Sequence, residues 1–219
     1  MRRFLRDNGL TLVLLACFLV FWIGQAVAGW LVFNEEQALH GAAAIGFAAY
    51  LRTPHFLEAT AENWESEFLQ MSAYVALTAY LFQRGSAESK NPDKKEDVDE
   101  EPAEGRAPAD APWPVRTGGW VRALYRYSLS LAFALLFLIS FAIHAASGLR
   151  LDNMQRIEHG QPPQSAIEFL SGSQFWFEAM QNWQSEFLAV LSIVVLSIFL
   201  RHKGSPESKP VAMPNRETP

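Results

Sequence analysis

"LTLVLLACFLVFWIGQAVAGWLVF", Leu10 to Phe33, runs 24 residues without an Asp, Glu, Lys or Arg. A helix needs about 20 mostly apolar residues to cross the hydrocarbon core of a bilayer, so this stretch reads as a transmembrane helix. Tyr127 to Leu149, "YSLSLAFALLFLISFAIHAASGL", has the same character over 23 residues. A shorter charge-free run rich in Leu, Val, Ala and Ile follows each of them, Phe68 to Gln83 and Phe187 to Leu200. At 219 residues with 50% hydrophobic side chains, the chain has the size of a small membrane bundle. The expectation is an all-α membrane protein with four transmembrane helices.

A cleaved signal peptide is the competing reading of the N-terminus. "MRRFLR" is a basic leader and "AVA" before Gly29 resembles a small-residue cleavage site. The apolar run is longer than the usual signal core of about 7–15 residues. A comparable helix also recurs at Tyr127 to Leu149, far from any leader. The single cysteine, Cys17, lies in the middle of the first run and excludes an intrachain disulfide.

The two halves of the chain align without a gap at an offset of 119 residues. Asn34 meets Asn153, the pair His40-Gly41 meets His159-Gly160, and "NWESEFL" (Asn63 to Leu69) meets "NWQSEFL" (Asn182 to Leu188). Further on, "RGSAESK" from Arg84 meets "KGSPESK" from Lys203, and 14 of 28 positions are identical between Asn63 and Lys90. Self-similarity at one fixed offset is the mark of a duplicated unit. The expected organisation is two tandem two-helix repeats, residues 1–86 and 120–205, with a linker at 87–119 and a disordered tail at 206–219. An even number of spans per repeat makes the duplication parallel, with a pseudo-two-fold axis along the membrane normal.

The linker is read as disordered and acidic. Ala87 to Arg116 holds nine acids, five basic residues and five prolines, a composition that cannot bury enough apolar surface to offset the entropy of ordering. Of the 18 Lys and Arg residues, 15 fall on the side shared by the N-terminus, the linker and the tail. The positive-inside rule makes that side cytoplasmic. Between the two spans of each repeat a short outer helix is expected, around "AAAIGFAAYL" before Thr53-Pro54 and around "QSAIEFL" before Ser171-Gly172-Ser173. The second span then starts at the break, near Pro54 and near Gln174.

That start places the repeated motif inside a helix. Asn63, Ser66, Glu67 and Gln70 stand at i, i+3, i+4 and i+7 and share one face, as do Asn182, Ser185 and Glu186. The charge-free part of the second span covers about 24 Å at 1.5 Å per residue, short of a core of about 30 Å, so Glu67 and Glu186 are candidates for membrane depth. With Gln25 and His144 they form a candidate polar cluster near the outer end of the bundle. Ionisable groups at that depth are costly and mark ion or proton routes. The competing reading is an aqueous interface, with Trp64 and Trp183 as its anchors.

His40 and His159 are the metal candidates, and a haem or metal centre is the third function class considered. Each precedes a glycine, where a helix C-terminus would equally favour it, and no ligand pair has a diagnostic spacing. No cofactor is therefore expected. There is no phosphate-binding loop, nucleophile elbow or zinc-protease motif and no basic nucleic-acid face, so neither an enzyme nor a nucleic-acid partner is expected. The expected partner is the lipid bilayer, with a homo-oligomer or larger membrane complex left open.

The paired "NWESEFL" and "NWQSEFL", each followed by a short apolar helix and "RGSAESK" or "KGSPESK", resemble an uncharacterised family of bacterial membrane proteins, a domain of unknown function. The resemblance covers the two repeats and not the acidic linker. It implies a bacterial inner-membrane location and transfers no catalytic residues.

Overall fold

The computed structural model of the protein describes residues 2–102 and 107–219. The linker expected at 87–119 thus includes four residues, 103–106, that lie outside the described residues. The chain runs through α1 (Arg2–Asp7), α2 (Gly9–Leu39), α3 (Phe47–Tyr50), α4 (Pro54–Tyr80), α5 (Trp113–Thr117), α6 (Gly119–Arg126), α7 (Ser128–Glu158), α8 (Ala166–Ser171) and α9 (Ser173–Phe199). A single 3-10 turn occupies Asp97–Asp99, and no strand occurs among the described residues.

Three helices are long and apolar enough to cross a membrane: α2 and α7, each of 31 residues, and α9, of 27. Leu10, Val20, Phe21, Leu129, Leu138 and Leu191 all stand exposed on these helices, an arrangement suited to lipid and costly in water. The expectation of four transmembrane helices is corrected at α4, which matches α9 in length but is not among the three. Its composition explains the difference. Glu58, Glu62, Glu65 and Glu67 crowd its first half, and Gln70, Ser72 and Thr78 dilute the run that follows, whereas α9 carries only Glu178 and Glu186.

Two compact units divide the chain, Met1–Ala61 with Ile143–Leu170 and Glu62–Ala142 with Ser171–Pro219. Neither coincides with one half of the chain, since each takes residues from both.

In the first unit Ala26, Phe33, Tyr50 and Phe56 form a core, with Trp22, Trp30, Ile45 and Leu51 packed against it. Close packing demands Gly29, because a Cβ there would lie 2.2 Å from the Tyr50 hydroxyl oxygen. Tyr50 Oη in turn lies 3.0 Å from His55 Nδ1. The chain after α2 is held by an amide clamp: Asn34 Nδ2 donates to Ile45 O (3.1 Å) and Asn34 Oδ1 accepts from Ile45 N (2.8 Å). After α7, at positions 119 further on, Asn153 does the same to Gln164, at 3.0 and 2.7 Å. Each helix also ends alike, with Gly41 and Gly160 in the left-handed region at φ 69° and 70°.

The clamp leads to a prediction. Asn153→Ala removes both bonds to a backbone that has no other regular structure, so the loop before α8 is expected to lose about 1–3 kcal/mol of local stability. Amide exchange at residues 160–166 should quicken, and Asn34→Ala should do the same at 41–47.

α3 and α8 occur where short outer helices are expected. Thr53 Oγ1 accepts from Phe56 N at 3.3 Å and Pro54 occupies the first turn, so α4 begins at the expected break with Thr53 as its cap.

The second unit is organised by α9, the first half of α7 and the part of α4 from Glu62 onward. Ser72 Oγ donates to Ser130 O at 3.0 Å, and the Phe68 and Phe133 rings approach to 6.4 Å, which fixes α4 beside α7. Phe137, Phe141, Phe175, Trp176 and Trp183 form a continuous aromatic cluster with neighbouring centroids 5.5–6.5 Å apart. The two Gly-Ser-x-Glu-Ser-Lys segments then close the ends of α4 and α9 in one manner. Ser89 Oγ accepts from Gln83 N and Ser208 Oγ from His202 N, both at 2.8 Å.

Candidate functional site: the acidic face between α4 and α9

On the second-unit part of α4, four side chains reach α9. Gln70 is buried, and its Nε2 donates to Glu186 O at 2.8 Å. Asn182 Nδ2 donates to Glu62 Oε1 at 2.5 Å. Trp183 Nε1 donates to Glu65 Oε1 at 3.2 Å, and Glu65 is fully buried. Finally, the Glu67 and Glu186 carboxyls, the first exposed and the second partly buried, come close enough for each to feel the other's charge.

The sequence-derived residues divide accordingly. Glu67, Asn182, Glu186 and Trp183 take part in the contact between α4 and α9. Ser66 and Ser185 instead donate back to their own helices, to Asn63 O and Asn182 O, each at 2.8 Å. Asn63 is exposed, and so is Gln25 on α2, whereas His144 is fully buried. Gln25 and His144 belong to the first unit, and in that unit a His144 ring nitrogen lies within 4.8 Å of a Glu58 carboxylate oxygen. Trp64 stands exposed. The Trp183 ring also packs on Phe137 and Trp176 at 6.1 and 6.2 Å.

The metal candidates His40 and His159 are exposed, and each places Nδ1 within hydrogen-bond distance of the carbonyl four residues back, Glu36 O at 2.9 Å and Gln155 O at 2.7 Å. They finish their helices as a C-terminal histidine does.

Sequence reasoning missed Glu62 and Glu65. Glu65 sits at the one position where "NWESEFL" and "NWQSEFL" differ, and its counterpart Gln184 is exposed, with Nε2 donating to Gln181 O at 3.2 Å. The spacing of Glu58, Glu62 and Glu65 at i, i+4 and i+7 is the signal that finds them, one acidic stripe on one helix face.

A second pair of glutamates 119 residues apart also meets in this unit. Tyr74 Oη donates to Glu88 Oε2 at 2.7 Å, and the Glu207 carboxyl stands close enough to act on the same Glu88 side chain. Burial pushes the Glu88 carboxyl above the ordinary carboxylate range; Glu207 adds to this, and the Tyr74 hydrogen bond opposes it. Lys209 nearby is buried and donates from Nζ to Pro214 O, Asn215 O and Glu217 O at 3.2, 2.9 and 3.1 Å, which uses all three ammonium protons. Gly85 N donates to Thr218 Oγ1 at 2.8 Å, and Ser86 Oγ pairs with Ser197 Oγ at 3.0 Å.

These bonds tie residues 201–219 to the loop after α4, and the acid pair makes the tie depend on pH. A carboxyl with a raised pKa in the docked state contributes its full stabilisation below its ordinary pKa and loses it as pH rises through the raised value. Protease cleavage within 203–219 is therefore expected to increase with pH. Glu207→Gln, which removes the neighbouring acid and leaves the burial of Glu88, should lessen that increase without abolishing it.

No curated protein and no solved structure matches the chain. The family described as a domain of unknown function, DUF6766, matches residues 1–219. With three helices able to span a bilayer and the family's match extending from end to end, the chain belongs to the DUF6766 family of unknown function.

Proposed function

We propose that the protein is an integral membrane protein that binds and passes protons or small cations at the contact between α4 and α9, with Glu67 and Glu186 as the exchanging groups. The observation that carries this is the approach of the two carboxyls to one another, one from each helix, at that contact. Two carboxyls brought this close can share a proton, exchange it for another, or give it up to a hard cation for which carboxylate oxygens are suitable ligands. Glu62 and Glu65, held by Asn182 and Trp183, supply further negative charge along the same helix face.

In this reading α4 lies at membrane depth beside α9, its polar groups turned to α9 and α7 instead of lipid. The repeated motif and the paired clamps descend from a duplicated two-helix unit. The excess of Lys and Arg puts the tails and linker on the cytoplasmic side of a bacterial inner membrane.

Flux in proteoliposomes is the test. Glu67→Gln and Glu186→Gln are each expected to lower proton or cation flux by at least tenfold relative to wild type, while the protein still inserts and elutes as a single species. Unaltered flux in both variants, or none in the wild type, would overturn the proposal.

A second reading follows from Trp183 and Asn182, whose bonds to Glu65 and Glu62 also serve as packing between helices. In an accessory protein without transport, the same two substitutions would alter thermal stability or a partner's co-purification with no flux in any variant.

A further inference from the structure

Just before α7 enters its charge-free run, α5 and α6 pack against each other and place two kinds of side chain at the start of the span. Trp113 and Trp120 are 64% and 77% exposed, and Leu124 is exposed as well. Arg122 and Arg126, four residues apart on α6, share a helix face. Because Ser128 begins an apolar helix able to cross a bilayer, the preceding turns are confined to the bilayer surface. Exposed tryptophans beside arginines are the composition of a segment lying in that interface.

Both arginines already hold an anion. Glu101 Oε1 accepts from Arg122 Nε at 3.0 Å, from Arg126 Nε at 3.0 Å and from the second Arg126 nitrogen at 2.6 Å. Arg122 also donates to Pro102 O, and its side chain is 11% exposed. Beside this clamp lies a hollow of about 310 Å³, bounded by Glu101, Pro102, Gly119, Arg122, Ala123 and Arg126. A guanidinium pair that fits one carboxylate oxygen this closely also fits a phosphate oxygen. The carboxylate comes from the acidic linker, so the chain carries its own competitor for the arginines.

We propose that α5 and α6 form a surface for anionic phospholipid, in which Arg122 and Arg126 take the headgroup phosphate and Glu101 is the internal occupant that must leave first. The acidic linker then does more than join two halves: it sets how much anionic lipid the membrane must contain before the segment docks. The inference needs the membrane-spanning character of α7 and nothing from Glu67 or Glu186.

The full chain can be tested in nanodiscs, with Cys17→Ser removing the native thiol and Thr117→Cys carrying an environment-sensitive dye. In discs of phosphatidylcholine alone the dye is expected to report water. Increasing phosphatidylglycerol should shift it to an apolar environment, with the response weakening at high salt. Glu101→Gln should bring the half-response to a roughly fivefold lower anionic fraction, the order expected for releasing about one basic charge at the surface. The double variant Arg122→Gln/Arg126→Gln should abolish the response, and Arg122→Lys/Arg126→Lys should recover only part of it, because an ammonium lacks the fork. The proposal is overturned if the dye ignores phosphatidylglycerol, if Glu101→Gln leaves the half-response where it was, or if the double glutamine variant responds like wild type. Inorganic phosphate that reproduces the full shift in phosphatidylcholine discs would overturn the assignment to lipid.

Discussion

Trp183→Ala is expected to be the most damaging single substitution in the second unit, costing about 2–3 kcal/mol for the lost, partly buried ring alone. The indole packs edge-on against Phe137 and Trp176 and links α9 to α7 through the aromatic cluster. Its loss also removes a donor from Glu65, a fully buried carboxyl, which adds about 1–3 kcal/mol. Trp183→Phe separates the two contributions, since it keeps a ring and removes the N–H. Glu65→Gln, paired with Trp183→Phe in a double-mutant cycle, measures the coupling. Thermal unfolding in detergent should rank Trp183→Ala lowest, Trp183→Phe intermediate, and the double variant no worse than the sum of its parts.

Gly29 and Gly24 give the second large contrast, because they lie five residues apart on α2 with opposite surroundings. A Cβ at Gly29 meets the Tyr50 hydroxyl at 2.2 Å, whereas at Gly24 it meets nothing within 4 Å. Tyr50 is buried, and its hydroxyl is engaged with His55, so it cannot retreat without disturbing Phe33 and Phe56. Gly29→Ala is expected to cost about 1–3 kcal/mol by overpacking. Gly24→Ala should be neutral or stabilise by up to about 1 kcal/mol through helix propensity. Equal unfolding temperatures for the two variants would contradict the packing described for the first unit.

Much of the helical plan can be read from residue order, because a charge-free run of 20 or more residues has few folded states other than a buried or lipid-facing helix. The cap at Thr53, the breaks at Gly41 and Gly160 and the short helices before α4 and α9 follow from local chemistry. α4 shows where that logic stops. Counting charge-free residues from Phe68 hides Gln70, Ser72 and Thr78, whose polarity is visible only once mean hydropathy over the whole helix is considered. The site was legible in part for a similar reason. Repetition points to Glu67 and Glu186, but it averages away what the two halves do not share. Glu65 is such a residue: it is buried in one copy of the motif, while glutamine takes its place, exposed, in the other. The role of Asn34 and Asn153 was visible as an alignment and not as a clamp, since a bond to a backbone 11 residues away has no sequence signature.

The second acid pair, Glu88 and Glu207, gives the same lesson from outside the spans. The two matching Gly-Ser-x-Glu-Ser-Lys segments are visible in the sequence only as part of the repeat, yet in the folded chain their glutamates come together, with Tyr74 completing the contact. Residues equivalent across the two halves therefore meet twice in the second unit, as Glu67 with Glu186 and as Glu88 with Glu207. The account rests on the first of these meetings.

Infrared difference spectroscopy of the reconstituted full chain tests it most directly, by following protonated-carboxyl absorption as pH is varied. If Glu67 and Glu186 share a proton, Glu67→Gln and Glu186→Gln each remove the same titrating band, and the double variant removes no more than either one alone. Two separate bands, each lost with only one of the substitutions and adding up in the double variant, would mean that the carboxyls titrate independently and that the proposed exchange site does not exist.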